Sequence, residues 1–127
     1  MTSVEIPVSI AAALPHLTVL DITNDVQRDV ARAGGSGIAY VSPTGDPSLV
    51  RVQERETGFF SDLESMLERL VPLGEMQRAR LVTFLLGPRT EQIPYSDGRL
   101  CLGRWQRLLL VGFDDRCADN WTLTLLG

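Results

Sequence analysis

The sequence predicts an α+β domain in which helices pack on a largely antiparallel sheet. Three observations carry this. Short β-branched and apolar runs recur along the chain, two amphipathic stretches interrupt them, and the C-terminal part places turn residues between strand-like runs. With 127 residues, of which 44% are hydrophobic and 22% charged, the composition is that of an ordinary globular protein. One core serves 1–127, since a domain near this size buries roughly two-thirds of the surface of its unfolded chain. No flexible linker or internal repeat divides it.

Val4 to Ile10 alternates apolar and polar residues, the period of a strand with one buried face, and Pro7 suits an edge or a bulge. His16 to Ile22 has the content of a second strand. Thr23, Asn24 and Asp25 offer capping oxygens to a helix whose Val26, Val30 and Ala33 share one face, and Gly34 and Gly35 can take the left-handed backbone that ends it. Gly37 to Ser42 and Ser48 to Glu54 then read as a hairpin around Pro43-Thr44-Gly45-Asp46-Pro47.

From Thr57 to Val71 a helix is expected to bury Phe59, Leu63, Met66, Leu67 and Leu70, with Asp62, Ser65 and Arg69 opposite; Pro72 and Gly74 end it. Leu81 to Leu86 fits helix or strand, and Gly87-Pro88 closes it. The rest reads as β-structure: Thr90 to Tyr95, a turn at Ser96-Asp97-Gly98, Arg99 to Phe113, a turn at Asp114-Asp115, and Trp121 to Leu126.

The formal charge of -4 argues against a nucleic-acid partner, which calls for clustered basic residues. All 12 basic residues are arginines, whose permanent charge and planar fork keep a local anion site open. The N-terminus lacks the basic start and long apolar stretch of a secretory signal, and no run approaches a membrane span of roughly 20 apolar residues, so a cytoplasmic protein without a membrane partner is expected. Cys101 and Cys117 form no CxxC arrangement and cannot complete a zinc site alone. Neither a metal nor a cofactor is expected.

Asp21-Ile22-Thr23-Asn24-Asp25-Val26-Gln27, Leu67-Glu68-Arg69-Leu70-Val71-Pro72, Leu85-Leu86-Gly87, Asp97-Gly98-Arg99-Leu100, Leu102-Gly103-Arg104-Trp105-Gln106 and Phe113-Asp114 resemble, in order, the YjbQ family of secondary thiamine-phosphate synthase-like proteins. These pieces cover nearly the whole chain. The resemblance implies a mixed, largely antiparallel β-sandwich with packed helices, a homotrimer, and a site of two histidines with nearby carboxylates. The first family histidine opens a His-Thr-Thr-Ala segment ahead of a Glu-containing strand. Alignment from Glu54 sets Gly45-Asp46-Pro47-Ser48 on that segment, and alignment from Leu85-Leu86-Gly87 sets Arg78-Ala79-Arg80 on the second. Gly45 and Arg80 thus replace both histidines, and Arg78 replaces the Asp before the second. Glycine has no side chain and arginine stays protonated, so the proton-accepting or metal-binding chemistry of imidazole is lost.

Glu54, Trp105 and Gln106 survive as remnants of the implied pocket, and Glu54 beside Arg80 would be an ionised salt-bridge partner. Arg78 and Arg80, with Arg99, Arg104 and Arg107, form either an anion-binding surface or solvated scattered charges. Trp105 suits either a pocket wall or an inward-packed ring. His16, the only histidine, lies away from the family positions and reads as a surface or strand-end residue. Gly34-Gly35-Ser36-Gly37 follows a helix and opens a strand, the reverse of a phosphate loop. Asp114-Asp115 suits backbone capping in a turn. The leading expectation is a non-catalytic, YjbQ-like protein with a degenerate active site that binds a small anionic or phosphate-bearing ligand. Weak thiamine-phosphate synthase-type activity and a purely structural homo-oligomeric module are the alternatives.

Overall fold

The apolar runs sort into two antiparallel sheets. The computed structural model describes residues 16–45, 47–113 and 120–127. Its elements are β1 (Thr18–Asp21), α1 (Thr23–Ala33), β2 (Gly37–Pro43), β3 (Ser48–Glu54), α2 (Thr57–Leu70), α3 (Arg78–Leu86), β4 (Glu91–Ser96), β5 (Arg99–Leu100), β6 (Gln106–Gly112) and β7 (Trp121–Leu126). One sheet runs β1-β6-β3 and the other β5-β4-β2-β7, and all neighbouring strands are antiparallel. The expected strand at Val4 to Ile10, the turn at Asp114-Asp115, Asp46 and Cys117 lie outside the described residues. Among those residues no helix is long and apolar enough to cross a membrane.

β6 explains the layering. Its Leu108-Leu109-Leu110-Val111 run is buried throughout, as a central strand covered on both faces must be. Leu108 and Leu110 face a core with Val26 and Val30 of α1, Val41 of β2 and Ile93 of β4. Leu109 and Val111 face the opposite core, closed by Phe60 and Leu67 of α2 and Val82 of α3. The alternation of one strand therefore joins an inter-sheet core to a helix-on-sheet core.

Several local expectations need correction. β2 and β3 belong to different sheets, so 43–47 is a corner and not a hairpin turn. Pro43 and Pro47 lack backbone donors, while Thr44 N donates to Asn120 O (3.1 Å) and Phe113 N to Pro47 O (3.2 Å), tying the corner to neighbours instead of closing a β2–β3 ladder. The expected strand at Arg99 to Phe113 is split: Gln106 N donates to Gly103 O (3.1 Å) in a turn, and β5 and β6 join different sheets. The turn before β5 is as expected, with Asp97 (φ 50°) and Gly98 (φ 73°) both left-handed, the geometry of a two-residue hairpin.

The buried face of α2 is rotated from the expected one. Phe60, Glu64 and Leu67 are buried with Leu63 beside them, whereas Phe59, Met66 and Leu70 are exposed. Polarity at Glu64 points the sequence reading away from this face, but the carboxylate is satisfied there by the His16 N–H (2.8 Å). Glu56 caps α2, accepting from Gly58 N (2.9 Å) and Phe59 N (3.0 Å). In α1, Val26 and Val30 are buried as expected, but Ala33 is exposed. Thr23, Asn24 and Asp25 sit inside the first turn rather than capping it; Asp21 supplies the oxygen, accepting from Thr23 N at 3.0 Å. The ambiguous 81–86 stretch belongs to helix α3.

Candidate functional site

The residues matched to the family's site fall into two groups at opposite ends of β3. At the first end, Gly87 (φ 90°) stops α3 and reverses the chain, which brings Arg89 back over the start of β3. Arg89 Nε donates to Ser48 O (2.7 Å) and its Nη2 to Gly45 O, so Gly45 is held through its carbonyl. Arg80, Thr83, Phe84 and Gly87 recur at helical spacing along α3 and, with Arg89, line an open pocket of about 510 Å³. Gly45 and Arg80, the two positions that the sequence resemblance sets against histidines, thus flank one arginine.

Within this pocket the side chains differ in what they have left to offer. Thr83 Oγ1 donates its proton to Ala79 O (2.8 Å) and can only accept from a ligand. Arg89 is engaged with the β3 corner. Arg80 is exposed, makes one long contact to Gln77 Oε1 (3.4 Å), and has no carboxylate partner among the described residues. Arg78 points elsewhere: it is buried, and its Nε donates to Val71 O (2.9 Å) at the end of α2. It joins two helices and is not available to an anion in this pocket.

Glu54 and Gln106 stand opposite each other as paired residues of β3 and β6. Seven residues of strand place them roughly 20 Å from the Ser48 end. Glu54 is exposed and forms no salt bridge with Arg80 among the described residues. Gln106 Oε1 accepts from Gly103 N (2.6 Å), and Trp105 lies in the turn before β6, 63% exposed, with the Arg104 guanidinium 4.9 Å from its ring centre. The ring is therefore not packed inward. Asp46 lies outside the described residues.

The strongest charge cluster is one that sequence reasoning missed. Asp21, its side chain 2% exposed, accepts Arg107 Nε at 2.7 Å and Arg55 Nη1 at 3.1 Å on Oδ2, and Thr23 Oγ1 at 2.6 Å on Oδ1. Burial pushes its carboxyl upward, but hydrogen bonds from Arg107 and Thr23 and the charge of Arg107 outweigh burial and hold it below the usual carboxylate value. Thr23 Oγ1 in turn accepts Leu108 N (2.7 Å), locking α1 to β6. Arg107 thus belongs to a structural centre and not to an anion surface with Arg99 and Arg104. The available signal was Asp21 at the end of an apolar strand, where a lone acid needs a cation. His16 is exposed, and among the described residues no group of three metal-ligating side chains gathers.

Comparison with known proteins agrees with the family resemblance and with the fold. The pattern of the family described as UPF0047 protein YjbQ-like matches residues 13–127. A UPF0047 protein of Archaeoglobus fulgidus is 34% identical over 108 residues, covering 78% of this chain and 83% of the relative. Among solved structures, the hypothetical protein APE1520 from Aeropyrum pernix K1 has a TM-score of 0.73 at 28% identity, with 88% of this chain and 90% of that one covered. A YbjQ-like protein of unknown function from Sulfolobus solfataricus P2 shares the fold at a TM-score of 0.78 and 23% identity, over 88% of each chain. By its family pattern and its relatives, the chain belongs to the YjbQ-like UPF0047 family.

Proposed function

We propose that this YjbQ-family protein is non-catalytic and binds a small anionic, phosphate-bearing ligand in the pocket of Arg80. The observation that carries the reading is Arg80 itself, a permanent cation at a concave surface with no carboxylate partner among the described residues. Gly45 brings no side chain and Arg80 cannot accept a proton, so neither performs the acid–base work of a histidine. Glu54 and Gln106, at the far end of β3, take no part in this pocket.

Exposed apolar side chains on and before α3, including Met76 (96% exposed) and Phe84 (85% exposed), support a homo-oligomer, and the family resemblance supports a trimer. The proposed location is cytoplasmic. Inorganic phosphate is expected to raise the thermal unfolding temperature of the wild-type protein and to leave that of Arg80→Ala unmoved. Turnover of thiamine-precursor phosphates that is abolished in Glu54→Gln would instead make the protein an enzyme. Light scattering that gives a monomer mass removes the trimer.

A further inference from the structure

A second and more enclosed cavity, of about 190 Å³, lies between α2 and the face of the β1-β6-β3 sheet. Phe60, Leu63, Leu109 and Phe113 give it apolar walls, and two polar side chains, Arg51 and Gln53, reach it from β3. Strand alternation sets both on the same side as Leu49, facing the helices, while Val50 faces the inter-sheet core. Arg51 is half-buried. Its Nη2 donates to Leu86 O (3.2 Å) and Pro88 O (3.3 Å) at the end of α3. No carboxylate pairs with it among the described residues, Nε and Nη1 donate to none of them, and the Gln53 amide has no hydrogen-bond partner among them. No side-chain nitrogen or oxygen among the described residues is both buried and without a partner, so the remaining Arg51 and Gln53 donors are open to a ligand that enters the cavity.

We infer that this cavity binds a small organic monocarboxylate with a compact apolar body, an aromatic or branched aliphatic acid. With Nη2 engaged by the two carbonyls, Arg51 receives the carboxylate through a single charge-assisted hydrogen bond from Nε or Nη1, and the Gln53 amide donates to the same head. The body packs against Leu63, Phe60 and Leu109. Size sets the limit: a cavity of roughly 150 Å³ accommodates a benzene ring, so this one takes a single ring or a short branched chain and excludes a nucleotide. Charge sets the other limit, because one cation balances a monoanion and leaves the second charge of a phosphate monoester unmatched.

Benzoate and its neutral analogue benzyl alcohol, titrated by calorimetry, separate the two contributions. Wild-type protein should bind benzoate at least about tenfold more tightly than benzyl alcohol. Arg51→Met should weaken benzoate by about tenfold or more and leave benzyl alcohol almost unchanged. Because Arg51 also holds the end of α3, a second variant keeps it in place: Leu63→Trp fills the chamber and should abolish binding of both. Crystals soaked in 4-bromobenzoate should show the bromine signal between α2 and β6. Equal benzoate affinity in Arg51→Met, no benzoate binding by the wild type at millimolar concentration, or bromine elsewhere overturns the inference. It does not rest on the Arg80 pocket, since phosphate protection and its loss in Arg80→Ala are read separately from benzoate binding.

Discussion

Asp21 and Arg80 show two opposite ways of handling charge in one small domain. Around Asp21 two arginines and a threonine converge on a single buried carboxylate, and Thr23 and Arg107 each have a second tie to the fold. Around Arg80 the reverse holds: the cation faces an open pocket, and no acid among the described residues answers it. An arginine already paired across a core contributes to architecture, whereas an unanswered one at a concavity is free to meet a ligand. Counting arginines cannot distinguish the two; tracing their partners does.

The largest effect is expected at Asp21. Asp21→Ala leaves Arg55 and Arg107 without their common partner, and removal of one member of a buried pair costs about 3–5 kcal/mol. Urea unfolding should show this as a lower midpoint. The pH dependence has a definite sign: the folded carboxyl lies below its ordinary value of 3.8. Its stabilisation is therefore complete well above pH 3.8 and is lost as pH falls through the lower folded value. The Asp21→Asn variant should have a flatter acid-unfolding profile in that window, measured by circular dichroism. An unchanged profile would mean that Asp21 does not carry the acid response.

Arg78→Met is the intermediate case, removing a buried donor from Val71 O at the α2 end. A loss of about 1–3 kcal/mol in denaturant melts is expected, with phosphate protection retained. Smaller still is Arg80→Ala, which should move stability by no more than about 0.5 kcal/mol while removing phosphate protection, so that function and folding part company at one residue. Glu54→Gln should do least, within about 0.5 kcal/mol of wild type and with phosphate protection intact. A loss of phosphate protection in Glu54→Gln would join the two ends of β3 into one site and erase the contrast.

Much of the architecture was legible because its signals are local. Gly34 and Gly35 ended α1, Asp97-Gly98 made the β4–β5 hairpin, and Ser48 to Glu54 is a strand over those same residues. What the sequence hid depends on partners far along the chain. Pro43 to Pro47 has the composition of a hairpin turn, and only the membership of β2 and β3 in separate sheets makes it a corner. Glu64 obscured the buried face of α2 because its partner, the His16 N–H, is 48 positions away. The candidate site failed to assemble as one unit for a related reason: short matches give positions in order, but the length of β3 decides which of them can touch. Arg107 was placed among surface cations because its partner Asp21 stands 86 residues upstream.

The proposed anion receptor of this chain is Arg80, which has no carboxylate partner among the described residues. Calorimetric titration of inorganic phosphate into wild-type protein, Arg80→Ala and Arg28→Ala tests it most directly, Arg28 being an exposed arginine already paired with Asp25 at 2.9 Å. Wild type and Arg28→Ala should bind phosphate alike and Arg80→Ala should not bind it. Equal phosphate binding by all three proteins, or by none, contradicts the account.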